Sequence, residues 1–198
     1  MKQATSSQKP PIYELMIELE DVAPRVWRRF RLDPLCALPL LHLILQRIMG
    51  WQEKHAHCFR TDAKQFGPVD DDSRDLWLDE RRYRLASLVR DPGDTFEYMY
   101  DFGDNWRHRI VLERTLERSR SVLHPKCVGG ENACPPEDVG GPPGYARLKF
   151  VLQNPDVKEH EEMREWAGDH FDPTRFDVEY QNRSLWDVRG TKLPAWAR

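Results

Sequence analysis

Several things are scarce in this chain, and each scarcity removes a class of function. There is no basic surplus: 30 Lys and Arg stand against 33 Asp and Glu, a formal charge of −3. A dedicated nucleic-acid binder ordinarily carries a basic excess. No apolar run approaches the roughly 18 residues that a membrane-spanning helix needs. The opening MKQATSSQKPP lacks the apolar stretch of a secretory leader. A flexible tail over 1–11 and a cytoplasmic location are therefore expected. The four cysteines, Cys36, Cys58, Cys127 and Cys134, are too few and too scattered for a disulfide framework, so free thiols are the expectation. No G-x-S-x-G occurs and no cysteine has an evident base partner, which removes serine and thiol hydrolases. Internal repeats and clean domain linkers are also missing.

What is present is enough for a core. Seven Trp, eight Phe and six Tyr in 198 residues supply large buried areas. The expected organisation is one α+β domain over 12–188, followed by a C-terminal tail over 189–198. Its sheet should be mostly antiparallel, with hairpins over 12–32 and 96–113, packed with several helices.

IYELMIELE alternates with period 2, placing Tyr13, Leu15, Ile17 and Leu19 on one face and Glu14, Glu18 and Glu20 on the other. Folded onto RVWRRFRL, it sets Leu15 beside Phe30, Leu19 beside Val26, Glu14 opposite Arg31 and Glu20 opposite Arg25. Arg25, Arg28, Arg29 and Arg31 then have two readings: cross-strand partners for acids, or a nucleic-acid contact with Trp27 and Phe30 as stacking groups. PLLHLILQRIMGW predicts a helix opened by Pro39 and ended by Gly50. In HAHCF, alternation points His55, His57 and Phe59 one way. Residues 61–80 read as loop. Their run GPVDDDSRD is an acidic surface without the ligand spacing of a calcium loop. A short helix is expected near 82–89, with further helices in YARLKFVLQNP, KEHEEMREWAG and VEYQNRSLW.

The stretch YMYDFGDNWRHRIVLE, 98–113, reads as a hairpin turning through Gly103, Asp104 and Asn105. Centred on Asp104, it sets Phe102 against Trp106, Tyr100 against His108, Tyr98 against Ile110 and Phe96 against Leu112. Asp101 then meets Arg107. His108, polar in an apolar row, is either a satisfied core histidine or a site residue. CVGGENACPPEDVGGPPGY, 127–145, reads as one long Gly/Pro loop, the kind that tends to carry function.

Five stretches together, PRVWRRF, MGWQEKHAHCF, FEYMYDFGDNWRHRIVLE, CVGGENACPPEDVGGPPGY and FDPTRFDVEYQNRSL, resemble the Ri-plasmid open-reading-frame-three-like family. That family includes passenger TnpR-type proteins of insertion elements. The likeness runs from Ile12 to about Leu185. It implies a roll-like α+β fold and a mobile-element setting, and it names no activity. Relatives carry a cysteine where this chain has Val139, so a zinc set built on the loop thiols would lack a third sulfur here.

Three functional readings stand beside one another. The first is an accessory protein binding a small molecule or protein in a cleft of the hairpin and the long loop, lined by His55, His57, Tyr100, Asp101, Asp104, Trp106, His108, Glu137 and Asp138. The second is a hydrolase using a divalent metal on His55, His57 and His108 with neighbouring carboxylates, or on Cys127 and Cys134. The third is nucleic-acid binding through Arg25, Arg28, Arg29 and Arg31. A binding role is favoured over an enzyme, and nothing points to a membrane.

Overall fold

A computed structural model of the chain describes residues 11–69, 77–119 and 125–189. The acidic run 70–72 lies outside the described residues, as do 1–10 of the expected tail 1–11 and 190–198 of the expected tail 189–198.

Among the described residues eight strands form one sheet: β1 (Ile12–Leu19), β2 (Val26–Leu32), β3 (His57–Arg60), β4 (Gln65–Gly67), β5 (Leu78–Asp79), β6 (Thr95–Tyr100), β7 (Trp106–Leu116) and β8 (Lys126–Glu131). Their order is β5-β4-β3-β6-β7-β1-β2-β8, antiparallel throughout except for the β4/β5 pair. The helices are α1 (Leu38–Met49), α2 (Gly141–Gln153), α3 (His160–Ala167), α4 (Val178–Ser184) and α5 (Trp186–Arg189). The α+β class with an antiparallel sheet follows the alternation and helical spacing of the sequence. No helix among the described residues is long and apolar enough to cross a membrane.

Period-2 patterning places the core. Leu15, Ile17, Phe30, Phe59, Tyr98, Ile110 and Leu112 are fully buried on the inner face, together with Leu41, Ile44, Leu45 and Ile48 of α1. Each such aliphatic contributes roughly 1.5–3 kcal/mol. Gly50 closes α1 in the left-handed conformation, φ 104°, its N–H donating to Gln46 O. Two polar side chains inside the α1 stripe are satisfied by one hydroxyl: His42 Nδ1 is 2.7 Å and Gln46 Nε2 2.9 Å from Tyr98 Oη.

The first hairpin pairs as expected at Leu15 with Phe30, Leu19 with Val26 and Glu14 with Arg31. Arg25 departs from expectation: it forks onto Glu18 at 2.6 and 2.8 Å, not Glu20. The second hairpin is shifted by two residues from the expected register, with Tyr100 opposite Trp106, Tyr98 opposite His108 and Phe96 opposite Ile110. An even shift keeps every side chain on its face, so the aromatics remain core. Phe102 is the exception: it leaves the strand and is 44% exposed.

Three expected stretches change character. Residues 61–80 contain β4 and β5. The 82–89 helix resolves into short 3₁₀ turns at Glu80–Arg82 and Leu85–Ser87. The long loop is really β8, an irregular segment over 132–140, and the start of α2.

Candidate metal centre

Three irregular segments meet at one end of the sheet. The first is the turn after β6. Asp101 adopts φ 56° and Asn105 φ 56°, which short polar side chains tolerate better than most residues. The turn closes through Asn105 N–H donating to Asp101 O at 2.6 Å. Asp101 Oδ1 accepts from Gly103 N at 2.9 Å and Asp104 N at 3.2 Å. That bonding leaves Oδ2 toward His55, so Asp101 is a turn builder and not the partner of Arg107. Arg107 pairs with Asp21.

The second segment, 50–56, wraps from α1 to β3. Glu53 N donates to Gln46 Oε1 at 2.8 Å, Lys54 N to Tyr100 Oη at 3.1 Å, and Asp101 N to Ala56 O at 2.9 Å. These anchors present His55, whose ring stands edge-on to Tyr100 at 5.9 Å between centroids.

The third segment, 132–140, is tied to the hairpin by Gly140 N donating to Asp104 Oδ2 at 3.0 Å. It carries Glu137 and Asp138. Glu137 Oε1 accepts from Gln52 N at 2.6 Å and from Tyr100 Oη at 2.9 Å. Its Oε2 is buried and has no hydrogen-bond partner among the described residues. Burial, with the Glu137 carboxylate close by, raises the Tyr100 phenol well above its ordinary range, so it is a fixed donor.

His55 Nε2 sits 3.0 Å from Asp138 Oδ1, 3.5 Å from Asp101 Oδ2 and 3.8 Å from Glu137 Oε2. It lacks the alignment of a hydrogen bond to any of them. His55, Asp101 and Asp138 form a mutual cluster of donor atoms within 4.8 Å, with Glu137 beside it. Donors around a cation at about 2.1 Å are spaced by about 3.0–3.4 Å in octahedral or tetrahedral geometry. One imidazole and several carboxylate oxygens suit first-row divalent ions. The side toward solvent is open, since the side chain of Asp138 is 59% and that of His55 29% exposed.

The other sequence candidates lie elsewhere. His57 points into the core: its ring stacks on His42 at 3.6 Å and its Nε2 is 2.9 Å from buried Glu80 Oε2. The expected His55/His57 pair therefore divides, because β3 begins at His57 and the alternation does not reach back to His55. His108 is wholly buried, Nδ1 at 3.1 Å from Tyr98 O and Nε2 accepting from Trp51 Nε1 at 3.4 Å. Burial holds it neutral, its pKa pushed down to about 4 despite that backbone bond. Trp106 is buried against Trp51, ring centroids 5.5 Å apart. The thiols of Cys127 and Cys134 are raised by burial, which works against the thiolate a zinc site requires. Neither joins the donor cluster. Among the arginines, Arg25 meets Glu18, Arg29 meets Glu113 and Arg31 meets Glu14. Arg28 turns inward and is 1% exposed, so the stretch offers no uncompensated basic face.

Sequence reasoning did not single out His42, Gln46 or Glu80, the polar groups that hold Tyr98 and His57. The signal was available for the helix pair: His42 and Gln46 interrupt an apolar stripe at an i, i+4 spacing that puts both on one face.

Comparison with known proteins adds relatives to this picture. The family model of plasmid pRiA4b ORF-3-like proteins matches residues 11–180. The chain is 36% identical over 189 residues to uncharacterized protein y4hQ of Sinorhizobium fredii (strain NBRC 101917 / NGR234), covering 94% of this chain and 95% of that one. Among solved structures it is similar to a protein of unknown function, MM3350 from Methanosarcina mazei Go1. The TM-score is 0.79 at 30% identity, over 86% of this chain and 97% of that one. With the family's motifs in place along nearly its whole length, the chain belongs to the plasmid pRiA4b ORF-3-like family.

Proposed function

We propose that the hairpin turn and the 132–140 segment form a ligand cleft, and that its ligand is a first-row divalent cation held by His55, Asp101 and Asp138 with Glu137 as a fourth donor. The observation that carries the reading is a pair of buried atoms without a hydrogen bond among the described residues, His55 Nε2 and Glu137 Oε2, 3.8 Å apart, with Asp138 Oδ1 3.0 Å from the same imidazole nitrogen. An orphaned buried polar atom costs about 1–3 kcal/mol. A cation between these groups would satisfy both and offset the mutual repulsion of the carboxylates. Tyr100 and Gln52 act as the outer layer that orients Glu137. The open face toward solvent supports a hydrolytic second reading, because a cation held by three or four protein donors retains positions for water.

The test is elemental analysis of untagged protein purified without chelator, followed by calorimetric titration of the apo protein with Mn²⁺ and Zn²⁺. Stoichiometric binding that His55→Ala and Asp138→Asn abolish is expected. No metal in the preparation, and no binding up to about 0.1 mM added cation, sinks the reading. Hydrolysis of p-nitrophenyl phosphate or acetate by the loaded protein decides between binding and catalysis.

A further inference from the structure

Arg28 is the least usual charge in the molecule. It sits mid-strand in β2 and is 1% exposed, yet it has no carboxylate partner among the described residues. Its Nε donates to Ile48 O at 3.3 Å, its Nη1 to Trp27 O and Glu131 O, each at 2.7 Å, and its Nη2 to Asn132 O at 2.7 Å. A guanidinium has five N–H donors, so one on Nη2 is left over. Carbonyl dipoles solvate this cation but do not neutralise it, and a buried charge without a counter-charge is costly. The guanidinium plane also lies over the Phe176 ring, 4.5 Å from its centroid.

Arg28 lines an open cavity of about 450 Å³ between the end of α1 and the 170–181 segment, walled also by Met49, Phe171, Phe176, Tyr180 and Gln181. Gln181 is 9% exposed, and its Oε1 has no hydrogen-bond partner among the described residues. Arg175 stands on the same wall and forms no ion pair among the described residues. The two acids there each engage one carboxylate oxygen locally, and Arg175 stabilises the charge of both. Asp172 accepts from Thr174 N and Oγ1, while Asp177 caps α4 by accepting from Glu179 N and Tyr180 N. The cavity thus presents a cation met by carbonyls and by no carboxylate directly, an unused acceptor and aromatic walls. A pocket of this size, with polar groups converging beside aromatic walls, falls in the range of small-molecule sites.

We infer that this cavity is a second binding site, separate from the cation cluster, for a small aromatic carboxylate that also carries an O–H or N–H donor. The carboxylate lies toward Arg28 and Arg175, the ring lies against Phe176, Phe171 and Tyr180, and the donor reaches Gln181 Oε1. The occupant neutralises Arg28 in the way a carboxylate side chain would in an ordinary buried pair.

The experiment is an NMR titration of the ¹⁵N-labelled full chain with 4-hydroxybenzoate and with 2-aminobenzoate, each compared with its uncharged methyl ester. Saturable shifts confined to the amides of Gly50, Ala133, Cys134 and 171–181 are expected for at least one acid. The ester should bind about tenfold more weakly or worse, since each tenfold is one ordinary ionic hydrogen bond's worth of affinity. Arg175→Ala, an exposed change that leaves the core intact, should weaken the acid by about threefold. Absence of saturable shifts from both acids at about 10 mM, equal binding of acid and ester, or shifts centred on His55 and Asp101 each overturn the inference.

Discussion

Tyr100 Oη and Glu137 Oε1 lie 2.9 Å apart across 37 residues of sequence, and that bond decides which carboxylate oxygen remains for a ligand. Removing it should loosen the cation site without dismantling the fold. Tyr100→Phe keeps the ring and deletes the hydroxyl that Lys54 N also uses. The expected outcome is a tenfold or larger loss of Mn²⁺ or Zn²⁺ affinity, of the order seen for outer-layer substitutions, with stability lowered by about 1 kcal/mol. Calorimetry with urea denaturation separates the two. Unchanged affinity would remove Glu137 from the donor set.

His108 makes stability pH-dependent in a defined direction. Its folded pKa is about 4, below the ordinary value near 6.5. Between those values the unfolded chain binds the proton and the folded one does not, so stability is full above about pH 6.5 and falls as the pH drops toward 4. The loss from this residue alone is on the order of 3 kcal/mol. His42, also pushed down by burial and by the neighbouring His57, acts in the same direction. NMR should show no His108 titration from pH 8 to about 5. A midpoint near 6.5 would mean the ring is not closed off from water.

Glu14 joins three strands. Burial alone would raise its carboxyl, but hydrogen bonds and charges from Arg31 in β2 and Arg114 in β7 together hold it below the usual range. Its contribution is therefore present above the unfolded carboxylate pKa and lost as pH falls through the depressed folded value. Glu14→Gln is expected to cost about 1–2 kcal/mol at pH 7. Urea denaturation at pH 7 and pH 3 should show this deficit narrowing in acid. A deficit equal at both would assign the effect to packing.

Gly141 permits the approach of α2 to the hairpin. Its φ is +69°, and an added Cβ would lie 2.7 Å from Asp104 O. Gly141→Ala should destabilise by about 2–3 kcal/mol, combining left-handed strain with a backbone clash. It should also weaken cation binding by moving the 132–140 segment away from His55. Gly93, φ +100° with nothing within 4 Å of the same virtual atom, is the control: alanine there should cost only about 1 kcal/mol and leave binding unchanged. Equal effects at both positions would show that strain, and not the contact with Asp104, governs Gly141.

Buried Glu80 holds His57 from a different segment of chain. Glu80→Ala is expected to destabilise by about 3 kcal/mol, as when one member of a buried pair is removed, while cation binding at His55 persists. Thermal unfolding with and without Mn²⁺ tests both parts. Loss of binding with stability intact would return His57 to the metal site.

Local physics was readable in the chain alone. Period-2 alternation named the inward faces of β1, β2, β6 and β7, and Pro39 with Gly50 bounded α1, because side-chain parity and helix ends depend on residues a few positions apart. Glu14 opposite Arg31 followed from the same parity. The offset of the second hairpin did not: parity is unchanged by a two-residue slip, and only Asp101 entering the left-handed region lengthened the turn to 101–105. Tertiary contacts also decided the fate of the ionisable groups. His55 and His57 are two residues apart, yet one lies beyond the end of β3 among carboxylates and the other is sealed against His42 and Glu80. Arg28, read as one of four similar arginines that pair with acids, instead lies on the inward face of β2 with Val26 and Phe30. Two of the four carbonyls that solvate it, and most of the cavity it lines, come from segments about 100 residues and more away. A charge's chemistry depends on what surrounds it, and that surrounding is assembled only when distant segments pack.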